Sequence, residues 1–487
     1  MSDRKRVKII IDGKEIETYD GYSIIKAAEE AGIYIPRLCY HEGLKPDGNC
    51  RLCLVEVEGQ KKPVPSCMTP VKDGMVVKTD TEALRKHRRS ILEFILTDHP
   101  LDCPICDQAG ECTLQDYYFK YDLEDSRWRE GKVKKPKRVY WGKNLIYDAE
   151  RCILCRRCIR FLDDVTKTGE LGVFERGNHS YIGLFDGMKI ENNYSGNLVD
   201  LCPVGAITDL DFRFKSRVWF LQKTPSICPL CSRGCNIEIH TNTDKLRNRF
   251  SSQRVFRIKP RKNMNVNKWW ICDEGRYGYR FIDENRILKP IFRGREISWE
   301  EVRGKLLEIA GKDVRLYLSP WLSNEELAFW KKIANVIKWK VSLIARPDGE
   351  GDNLLRNEDK NPNRKGAEIL DIREETGDEE VMIAFHFVPE NTSSHRFKIG
   401  IFSNYFDGLE NFDLVLPCAT FAEKSGTWTN FEGIVQGFQK ALEPLGESKE
   451  EGEIGEIFSH ALGLSLSWNL NKYREEFERE YKKWNGQ

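Results

Sequence analysis

The pattern of apolar residues at the start of the chain predicts two strands. Val7, Ile9 and Ile11 are apolar at every second position, and residues 7–11 and 15–19 are both predicted as strands. The Asp12-Gly13 pair between them favours a tight hairpin turn. Residues 23–31 carry apolar side chains at helical spacing, and Gly32 follows as a helix-ending residue. The pattern predicts a hairpin followed by a short helix, which is how a β-grasp domain begins.

Two more segments in the first half of the chain have a clear pattern. A helix is predicted whose apolar face consists of Leu84, Ile91, Leu92 and Ile95. Residues 237–241 and 246–250 are strand-like, and the polar residues 242–245 lie between them. These two segments predict a second hairpin.

Strand and helix patterns alternate after residue 283. Residues 313–318 predict a strand, and Ser323 and Glu326 form the capping box of a helix that continues to about Ile337. Residues 340–345 have the pattern of the next strand. Together these segments predict a βαβ unit.

The remainder of the chain is less regular. Residues 346–366 are rich in Asp, Asn, Gly and Pro, which predicts a loop or linker. Short strands are predicted at residues 381–387, 397–402 and 413–416. Residues 448–484 have the spacing of two amphipathic helices.

Composition excludes several classes of protein. The 77 Lys and Arg residues nearly balance the 76 Asp and Glu residues, so we expect neither a nucleic-acid partner nor an acidic solvating tail. No apolar run is long enough to span a membrane, and the N-terminus lacks the apolar core of a signal peptide. We therefore expect a reducing compartment, in which 16 cysteines hold metal rather than form disulfides.

The cysteines occur in groups. All but one lie between Cys39 and Cys272, and only Cys418 lies beyond. His99 stands just ahead of one group, and adding it to these cysteines gives four sets of four candidate ligands. Common iron–sulfur clusters take four protein ligands each. The first set is Cys39, Cys50, Cys53 and Cys67; the second is His99, Cys103, Cys106 and Cys112; the third is Cys152, Cys155, Cys158 and Cys202; the fourth is Cys228, Cys231, Cys235 and Cys272.

The first set does not have the close spacing of a plant-type ferredoxin. The predicted β-grasp fold around it favours iron, while a zinc site built on Cys50 and Cys53 is the alternative.

In the second set, a lone histidine is more often a surface residue than a ligand. Here, however, one ligand of four is missing, so we expect His99 to bind metal. On charge alone, a neutral imidazole in place of a thiolate raises the potential of a cluster.

The third set begins with the sequence CILCRRC, the close triplet of a bacterial ferredoxin. Cys202, which Pro203 follows, supplies the distant fourth ligand. No second triplet lies near Cys202, so this module is predicted to hold one [4Fe–4S] cluster. The fourth set joins CPLCSRGC to Cys272, and on spacing alone zinc remains open there.

The four sets, in this order, resemble those of one family. The His99 motif with its DQAGEC tail, the CILCRRC and LCPVGAI pair, and the WICDEGRYGY segment are similar to the large iron–sulfur subunit of respiratory complex I, the proton-pumping NADH:quinone oxidoreductase. The resemblance covers about residues 7–282. It implies a [2Fe–2S] cluster on the first set and [4Fe–4S] clusters on the other three, of which the fourth occurs only in some bacterial members.

The resemblance also implies an α+β multidomain fold. The expected domains are a β-grasp [2Fe–2S] ferredoxin domain (1–80), a His-Cys helical [4Fe–4S] segment (81–140), a [4Fe–4S] ferredoxin-like module (141–218), a [4Fe–4S] domain of molybdopterin-oxidoreductase type (219–282) and a degenerate, shortened molybdopterin-oxidoreductase-like α/β domain (283–487). The implied role is electron transfer from a flavin-bearing NADH dehydrogenase subunit, through the first, third and second sets in that order, to another cluster-bearing subunit and finally quinone. The implied location is the cytoplasmic side of the inner membrane, as a peripheral part of a membrane complex.

The part after residue 283 resembles a molybdopterin oxidoreductase that has lost its cofactor. Residues 423–436 are similar to the cofactor-side loop of those enzymes, and Cys418 is the one thiol that could bind a metal there. We interpret Cys418 as a buried structural residue. Neither a GxGxxG fingerprint nor a Walker loop occurs. We therefore expect no molybdopterin, flavin or NAD on this chain, and no substrate-converting site of its own.

Two other functions remain open on the sequence. The electron-transfer subunit of a soluble NAD-linked formate dehydrogenase or hydrogenase shares the first three sets. A zinc-stabilised scaffold with no redox role is the alternative from another class of protein. An absorption spectrum separates the scaffold from the electron carriers, and the presence of membrane subunits in the intact complex separates the first two.

Overall fold

A computed structural model describes residues 5–121, 125–242, 253–389 and 392–486. The chain divides into two compact units, residues 1–219 and residues 220–487. Sheets and helices occur in both units, which confirms the expected α+β class. The finer domain boundaries at residues 80, 140, 218 and 282 remain predictions. Among the described residues, no helix has the length and apolar character needed to cross a membrane.

Short elements predominate in the first unit. Its strands are β1 Arg6–Ile11, β2 Lys14–Tyr19, β3 Leu54–Val57, β4 Val64–Pro65, β5 Val76–Lys78, β6 Val139–Tyr140, β7 Leu145–Tyr147, β8 Leu171–Phe174, β9 Tyr181–Leu184 and β10 Ile207–Asp209. Its helices are α1 Ile24–Glu30, α2 Glu82–Leu96, α3 Thr113–Lys120, α4 Arg157–Phe161 and α5 Asn197–Leu201. The strands form sheets in the orders β2-β1-β5-β3-β4, β10-β7-β6 and β8-β9.

The predicted hairpin and helix open this unit. Strands β1 and β2 pair antiparallel, with Ile9 opposite Ile16, and β5 runs parallel to β1 on its other side. The turn residues Asp12 and Gly13 both have positive φ, which a tight hairpin turn requires. Alternate residues of β1 are buried, and they share one core with the apolar face of α1. The predicted strands and helix are therefore present, and the burial of alternate residues shows which face of β1 packs on the core.

Helix α2 is fixed to the first sheet by a buried arginine. The hydroxyl of Thr81 accepts a hydrogen bond from the backbone N–H of Leu84 and caps the helix. Arg88, on the buried face, donates to the carbonyl oxygens of Thr79 at 2.7 Å and of Leu52 at 3.3 Å. The apolar pattern predicted this helix but not that a charged residue would lie at the centre of its face.

A larger sheet dominates the second unit. Its strands are β11 Leu221–Ile227, β12 Asn236–Asn242, β13 Val255–Pro260, β14 Ile291–Phe292, β15 Arg295–Glu296, β16 Val314–Leu318, β17 Lys340–Leu343, β18 Val381–Phe385, β19 Phe397–Phe402, β20 Leu414–Pro417, β21 Gly426–Thr429 and β22 Val435–Phe438. Its helices are α6 Asp273–Tyr277, α7 Trp299–Leu307, α8 Asn324–Ile337, α9 Arg364–Ile369, α10 Glu451–Ala461 and α11 Leu470–Trp484. The sheets have the orders β11-β12-β13, β15-β14-β20-β19-β18-β16-β17 and β21-β22.

The βαβ unit predicted from the sequence is present. Strands β16 and β17 are parallel, and α8 connects them. Ser323 and Glu326 form the predicted capping box at the start of α8. From β17 to β20 all neighbouring strands run parallel, so their carboxyl ends lie at one edge of the sheet. Helices α10 and α11 occupy the two predicted amphipathic segments.

The structure differs from the sequence-based expectation at one segment of the second unit and does not describe another. Residues 346–366 were expected to form a loop throughout, but α9 begins at Arg364. The pattern missed this start because Asn363, a typical loop residue, precedes the helix as its N-cap and donates to the carbonyl of Leu322. The predicted hairpin placed a strand at residues 246–250, which lie outside the described residues. The described partners of β12 are β11 and β13.

A buried ion pair joins two segments of the second unit. The guanidinium of Arg286 donates to both carboxylate oxygens of Glu423 at 2.9 Å, and both side chains are almost fully buried. Arg254 makes a further contact with Glu423 at 2.7 Å. Removing one partner of such a pair leaves an uncompensated charge in a medium of low dielectric.

We therefore expect Arg286→Met to lower the free energy of opening of the large sheet by about 3 kcal/mol, the low end of the range for a buried pair, because Arg254 remains. Hydrogen exchange of the β18 amides measures this change. Arg293→Met is the matched control, because the Arg293–Asp413 pair is largely exposed on its arginine side and is expected to contribute less than about 1 kcal/mol. Equal effects of the two substitutions would contradict the expectation.

Candidate metal centres

The structure brings the first set together in the β-grasp region. Cys39, Cys53 and Cys67 are buried, and Cys50 is partly buried. Backbone N–H groups donate to sulfur atoms within the loop: that of Cys39 to Cys50 Sγ at 3.4 Å, and that of Cys50 to Cys39 Sγ at 3.5 Å. Amide donors of this kind stabilise thiolates, the form of cysteine that binds metal.

Thiols of the first set also interact in pairs. A hydrogen bond from Cys39 lowers the pKa of Cys50 to about 7, and one from Cys67 lowers the pKa of Cys53 to about 7. The pKa of each donor thiol is raised by that same hydrogen bond and by burial. Four sulfur atoms so close together are a suitable ligand set for a [2Fe–2S] cluster, and equally for the zinc alternative.

The second set lies in the loop between α2 and α3. Cys103, Cys106 and Cys112 are partly buried, and the first two thiols oppose the ionisation of Cys112. Burial raises the pKa of Cys112 to about 11. Thiols that resist ionisation in this way need a cation to become ligands.

His99 has the properties of a metal ligand. Its Nδ1 atom is buried and has no hydrogen-bond partner among the described residues. Burial lowers the pKa of His99 to about 4, so the imidazole is neutral at pH 7 and has a free lone pair. A buried ring nitrogen without a partner is rare in proteins unless it binds a metal or water. This atom fits the expected role of His99.

The third set surrounds a small pocket in the first unit. The four cysteines line it together with apolar side chains, including Ile153, Ile182 and Val204. Burial raises the pKa values of Cys152 and Cys202 to about 11. Four thiols around an apolar pocket suit a [4Fe–4S] cluster, because low polarity keeps water away from it.

Gly205 brings the second and third sets close to each other. A Cβ atom at this position would overlap the sulfur of Cys106. Gly205 lies three residues after Cys202, so the two ligand segments meet where the glycine has no side chain. The backbone N–H of Thr113 also donates to the carbonyl of Pro203 at 3.0 Å. The sequence analysis missed this contact, although the glycine in the LCPVGAI motif was its signal.

Arg157 connects the first and third sets. Its guanidinium donates to the carbonyl of Tyr40 at 2.7 Å and to that of Leu201 at 3.2 Å. These carbonyls lie next in sequence to Cys39 and Cys202, which belong to different sets. One cation thus holds two ligand loops together.

Arg160 makes a second connection of the same kind. Its Nη2 atom donates to the carbonyl oxygens of Cys39 at 2.5 Å and Cys155 at 3.3 Å. The side-chain amide of Asn49 adds a 2.7 Å bond to the carbonyl of Leu154. Arg157, within CILCRRC, and Arg160, two residues after this motif, could have been noticed in the sequence, but their partners, about 120 residues away, could not.

The fourth set is in the second unit. Cys228, Cys231 and Cys235 follow β11, and Cys272 is the N-cap of α6, where its sulfur accepts a 3.3 Å bond from the N–H of Gly275. All four thiols are buried. Burial raises the pKa of Cys272 to about 12, and the thiol of Cys231 adds to this increase. The geometry fits either a [4Fe–4S] cluster or zinc.

Cys418 belongs to none of these sets. It follows β20, is fully buried, and burial raises its pKa well above the ordinary value. The structure brings it close to His386 and Glu451, two residues that the sequence analysis did not consider. Their positions along the chain, 386, 418 and 451, give no spacing signal.

Five segments of the chain match known families. Residues 4–82 match a 2Fe-2S iron-sulfur cluster binding domain, residues 88–127 the NADH-ubiquinone oxidoreductase-G iron-sulfur binding region, and residues 142–208 the ferredoxin-like domain of NADH-quinone oxidoreductase subunit 3. Residues 221–284 match the molybdopterin oxidoreductase Fe4S4 domain, and residues 399–459 match molybdopterin oxidoreductase. These matches confirm the multidomain fold class expected from the sequence.

Relatives that match long stretches of the chain have related names. An NADH-quinone oxidoreductase subunit of Rickettsia typhi is 40% identical over 306 residues, which is 62% of this chain and 44% of the relative. The mitochondrial NADH-ubiquinone oxidoreductase 78 kDa subunits of Neurospora crassa and Candida albicans are 39% and 34% identical, over 70% and 94% of this chain and 46% and 58% of their own lengths. The chain thus spans about half the length of the curated relatives it matches.

The geometry around His99 predicts the effect of its removal. His99→Ala should degrade one [4Fe–4S] signal in the electron paramagnetic resonance spectrum and lower the iron content by up to about four atoms per chain, because a buried ligand is lost. His99→Cys restores a ligand and is expected to keep the cluster with a shifted potential.

His87→Ala is the matched control, since His87 is exposed on α2. It should leave both the spectrum and the iron content unchanged. An unchanged spectrum in His99→Ala itself would remove His99 from the ligand set.

Proposed function

We propose that this chain, which is a homologue of NADH-quinone oxidoreductase subunits, is an electron-transfer subunit of a proton-pumping NADH:quinone oxidoreductase. It would relay electrons from a flavin subunit towards quinone and contribute no substrate-converting site of its own. The observation that carries the proposal is the connection of three ligand sets inside one unit. Arg157 and Arg160 connect the first and third sets, and Gly205 lets the third approach the second.

The proposal assigns a cluster to each ligand set. A [2Fe–2S] cluster on the first set and [4Fe–4S] clusters on the others would supply reversible one-electron transfer. The proposed ligands are Cys39, Cys50, Cys53 and Cys67; His99, Cys103, Cys106 and Cys112; Cys152, Cys155, Cys158 and Cys202; and Cys228, Cys231, Cys235 and Cys272. Matches to 2Fe-2S and Fe4S4 domains over these residues support the assignment.

The chain's own residues would tune this function through charge and the exclusion of water. Arg157 and Arg160 are cations beside the first and third sets, and positive charge near a site raises its reduction potential. Neutral His99 replaces a thiolate in the second set and acts in the same direction. Apolar side chains around the third set keep water from the sulfur atoms.

The names of the relatives support partners within an NADH-quinone oxidoreductase complex. We propose that these partners are a flavin-bearing NADH dehydrogenase subunit and other cluster-bearing subunits of the peripheral arm. The chain would lie on the cytoplasmic side of the inner membrane and contact the membrane only through that complex. We further propose that it binds no molybdopterin, flavin or NAD.

Co-purification tests this function most directly. An affinity-tagged chain, isolated from its own organism in mild detergent, should bring with it membrane-embedded subunits and an activity that reduces quinone with NADH. Cys152→Ala, which removes a ligand of the third set, should abolish that activity while the NADH site in the flavin subunit still reduces an artificial acceptor. Recovery of a wholly soluble complex that oxidises hydrogen or formate would overturn the proposal.

The fourth set is proposed to stabilise the fold rather than to take part in electron flow to quinone. Metal–thiolate bonds would tie the loop after β11 to the start of α6, since Cys231 and Cys272 lie on these two segments. The alternative is that the fourth set belongs to the electron route.

The double substitution Cys231→Ala/Cys235→Ala distinguishes these two roles. It should lower the iron content from about 14 to about 10 atoms per chain and reduce the yield or thermal stability of the complex. Turnover per intact, flavin-containing complex should stay nearly normal. Cys152→Ala/Cys155→Ala is the matched comparison and should abolish turnover. Loss of most turnover in well-assembled complex that lacks the fourth cluster would contradict this role.

A further inference from the structure

Three side chains of different chemistry meet at the carboxyl edge of the large sheet. His386 directly follows β18, Cys418 directly follows β20, and Glu451 is the first residue of α10. Their ligand atoms, an imidazole nitrogen, a thiol sulfur and a carboxylate oxygen, all lie within 4.8 Å of one another. The carboxyl edge of a parallel sheet is the usual place for a ligand in this type of fold.

These ligand atoms are buried and incompletely paired. Cys418 and Glu451 are fully buried, and the side chain of His386 is 10% exposed. His386 Nε2 lies 3.0 Å from Glu451 Oε1, but the approach lacks hydrogen-bond geometry, and neither atom has another hydrogen-bond partner among the described residues. A buried polar atom without a well-formed hydrogen bond is unfavourable, and the close approach of His386 to Glu451 offsets only part of this. A cation between the two atoms would satisfy both.

We propose that His386, Cys418 and Glu451 bind a zinc ion. One sulfur, one nitrogen and one carboxylate oxygen are all common zinc ligands. In a tetrahedral site with bonds of about 2.0–2.3 Å, neighbouring ligand atoms are roughly 3.3–3.8 Å apart, so small side-chain movements close the site. A water molecule from the adjacent pocket, which Trp321 and Thr420 also line, completes the coordination.

The charges balance when zinc binds. Zinc displaces the proton of the Cys418 thiol, which leaves to solvent, and the two positive charges of the ion are neutralised by the thiolate and the Glu451 carboxylate. His386 binds as a neutral ligand. The ammonium group of Lys424 lies 2.8 Å from Oε2 of both Glu451 and Glu326. Burial and the charge of Glu451 raise the pKa of Glu326 to about 8, so Glu326 is largely protonated without zinc. As zinc takes up the charge of Glu451, Glu326 releases its proton to solvent and becomes the counter-ion of Lys424.

The zinc ion ties together three elements that are distant in sequence. It connects the ends of β18 and β20 to the start of α10, and so joins the sheet to the helix that packs beside it. This site is separate from the four cysteine sets and does not depend on the proposed electron-transfer function. It differs from a possible zinc site on the fourth set in having one sulfur ligand instead of four.

Zinc analysis of the full chain tests the site. Protein purified anaerobically, incubated with zinc chloride and desalted should hold about one zinc per chain. X-ray absorption at the zinc edge should show one sulfur at about 2.3 Å with nitrogen or oxygen ligands at about 2.0–2.1 Å. Cys418→Ser and His386→Gln should each weaken zinc retention against EDTA at least about 10-fold, since even residues outside the ligand set affect affinity this much.

His395→Gln is the matched control. His395 is also a buried histidine, two residues before β19, but its Nδ1 atom makes a hydrogen bond with the carbonyl of Glu379. It should retain zinc like the unaltered chain. Less than about 0.1 zinc per chain, an environment of four sulfur ligands, or full retention in Cys418→Ser would overturn the proposal. Even if a variant does not fold, the X-ray absorption spectrum of the unaltered chain shows whether zinc has one sulfur ligand, as proposed.

Discussion

Buried thiols that face one another cannot all ionise unless a cation lies between them. Burial raises the pKa of Cys152, Cys202 and Cys112 to about 11, and neighbouring thiols oppose ionisation further. A chain that folds these residues together therefore acquires stability from metal binding, because the ligands become thiolates only as the metal enters. The loops that carry the ligands have little regular structure of their own and depend on this coupling.

Cations of the protein itself support the same loops. Arg88 lies on the buried face of α2 and holds this helix to the first sheet through hydrogen bonds to backbone carbonyls. Arg157 and Arg160 use the same kind of bond to join the first and third ligand sets. Backbone carbonyl groups that lie outside helices and strands need hydrogen-bond donors from elsewhere. A guanidinium group supplies several N–H donors in fixed directions. The arginines therefore position the ligands and place positive charge near them.

The sequence predicted the parts of this molecule that depend on local pattern. The first hairpin, the capping box at Ser323 and the parallel βαβ unit are present as expected, because period and capping chemistry are properties of neighbouring residues. The ligand sets were grouped by spacing and by counting. Contacts between distant segments were not predicted: Gly205 beside Cys106 depends on two loops meeting in space, and no pattern in either loop contains that information.

The absence of a side chain at Gly205 affects the rate expected for electron transfer between the proposed clusters. Electrons tunnel between redox centres at rates that fall exponentially with the length of the path. If Gly205 were replaced by Ala, the new methyl group would have to displace the sulfur of Cys106 or the backbone of its own loop. In the proposed electron carrier, either displacement would change the distance between the cluster sites of the second and third sets. A position with no side chain, which binds nothing itself, would thus affect how fast electrons pass between them.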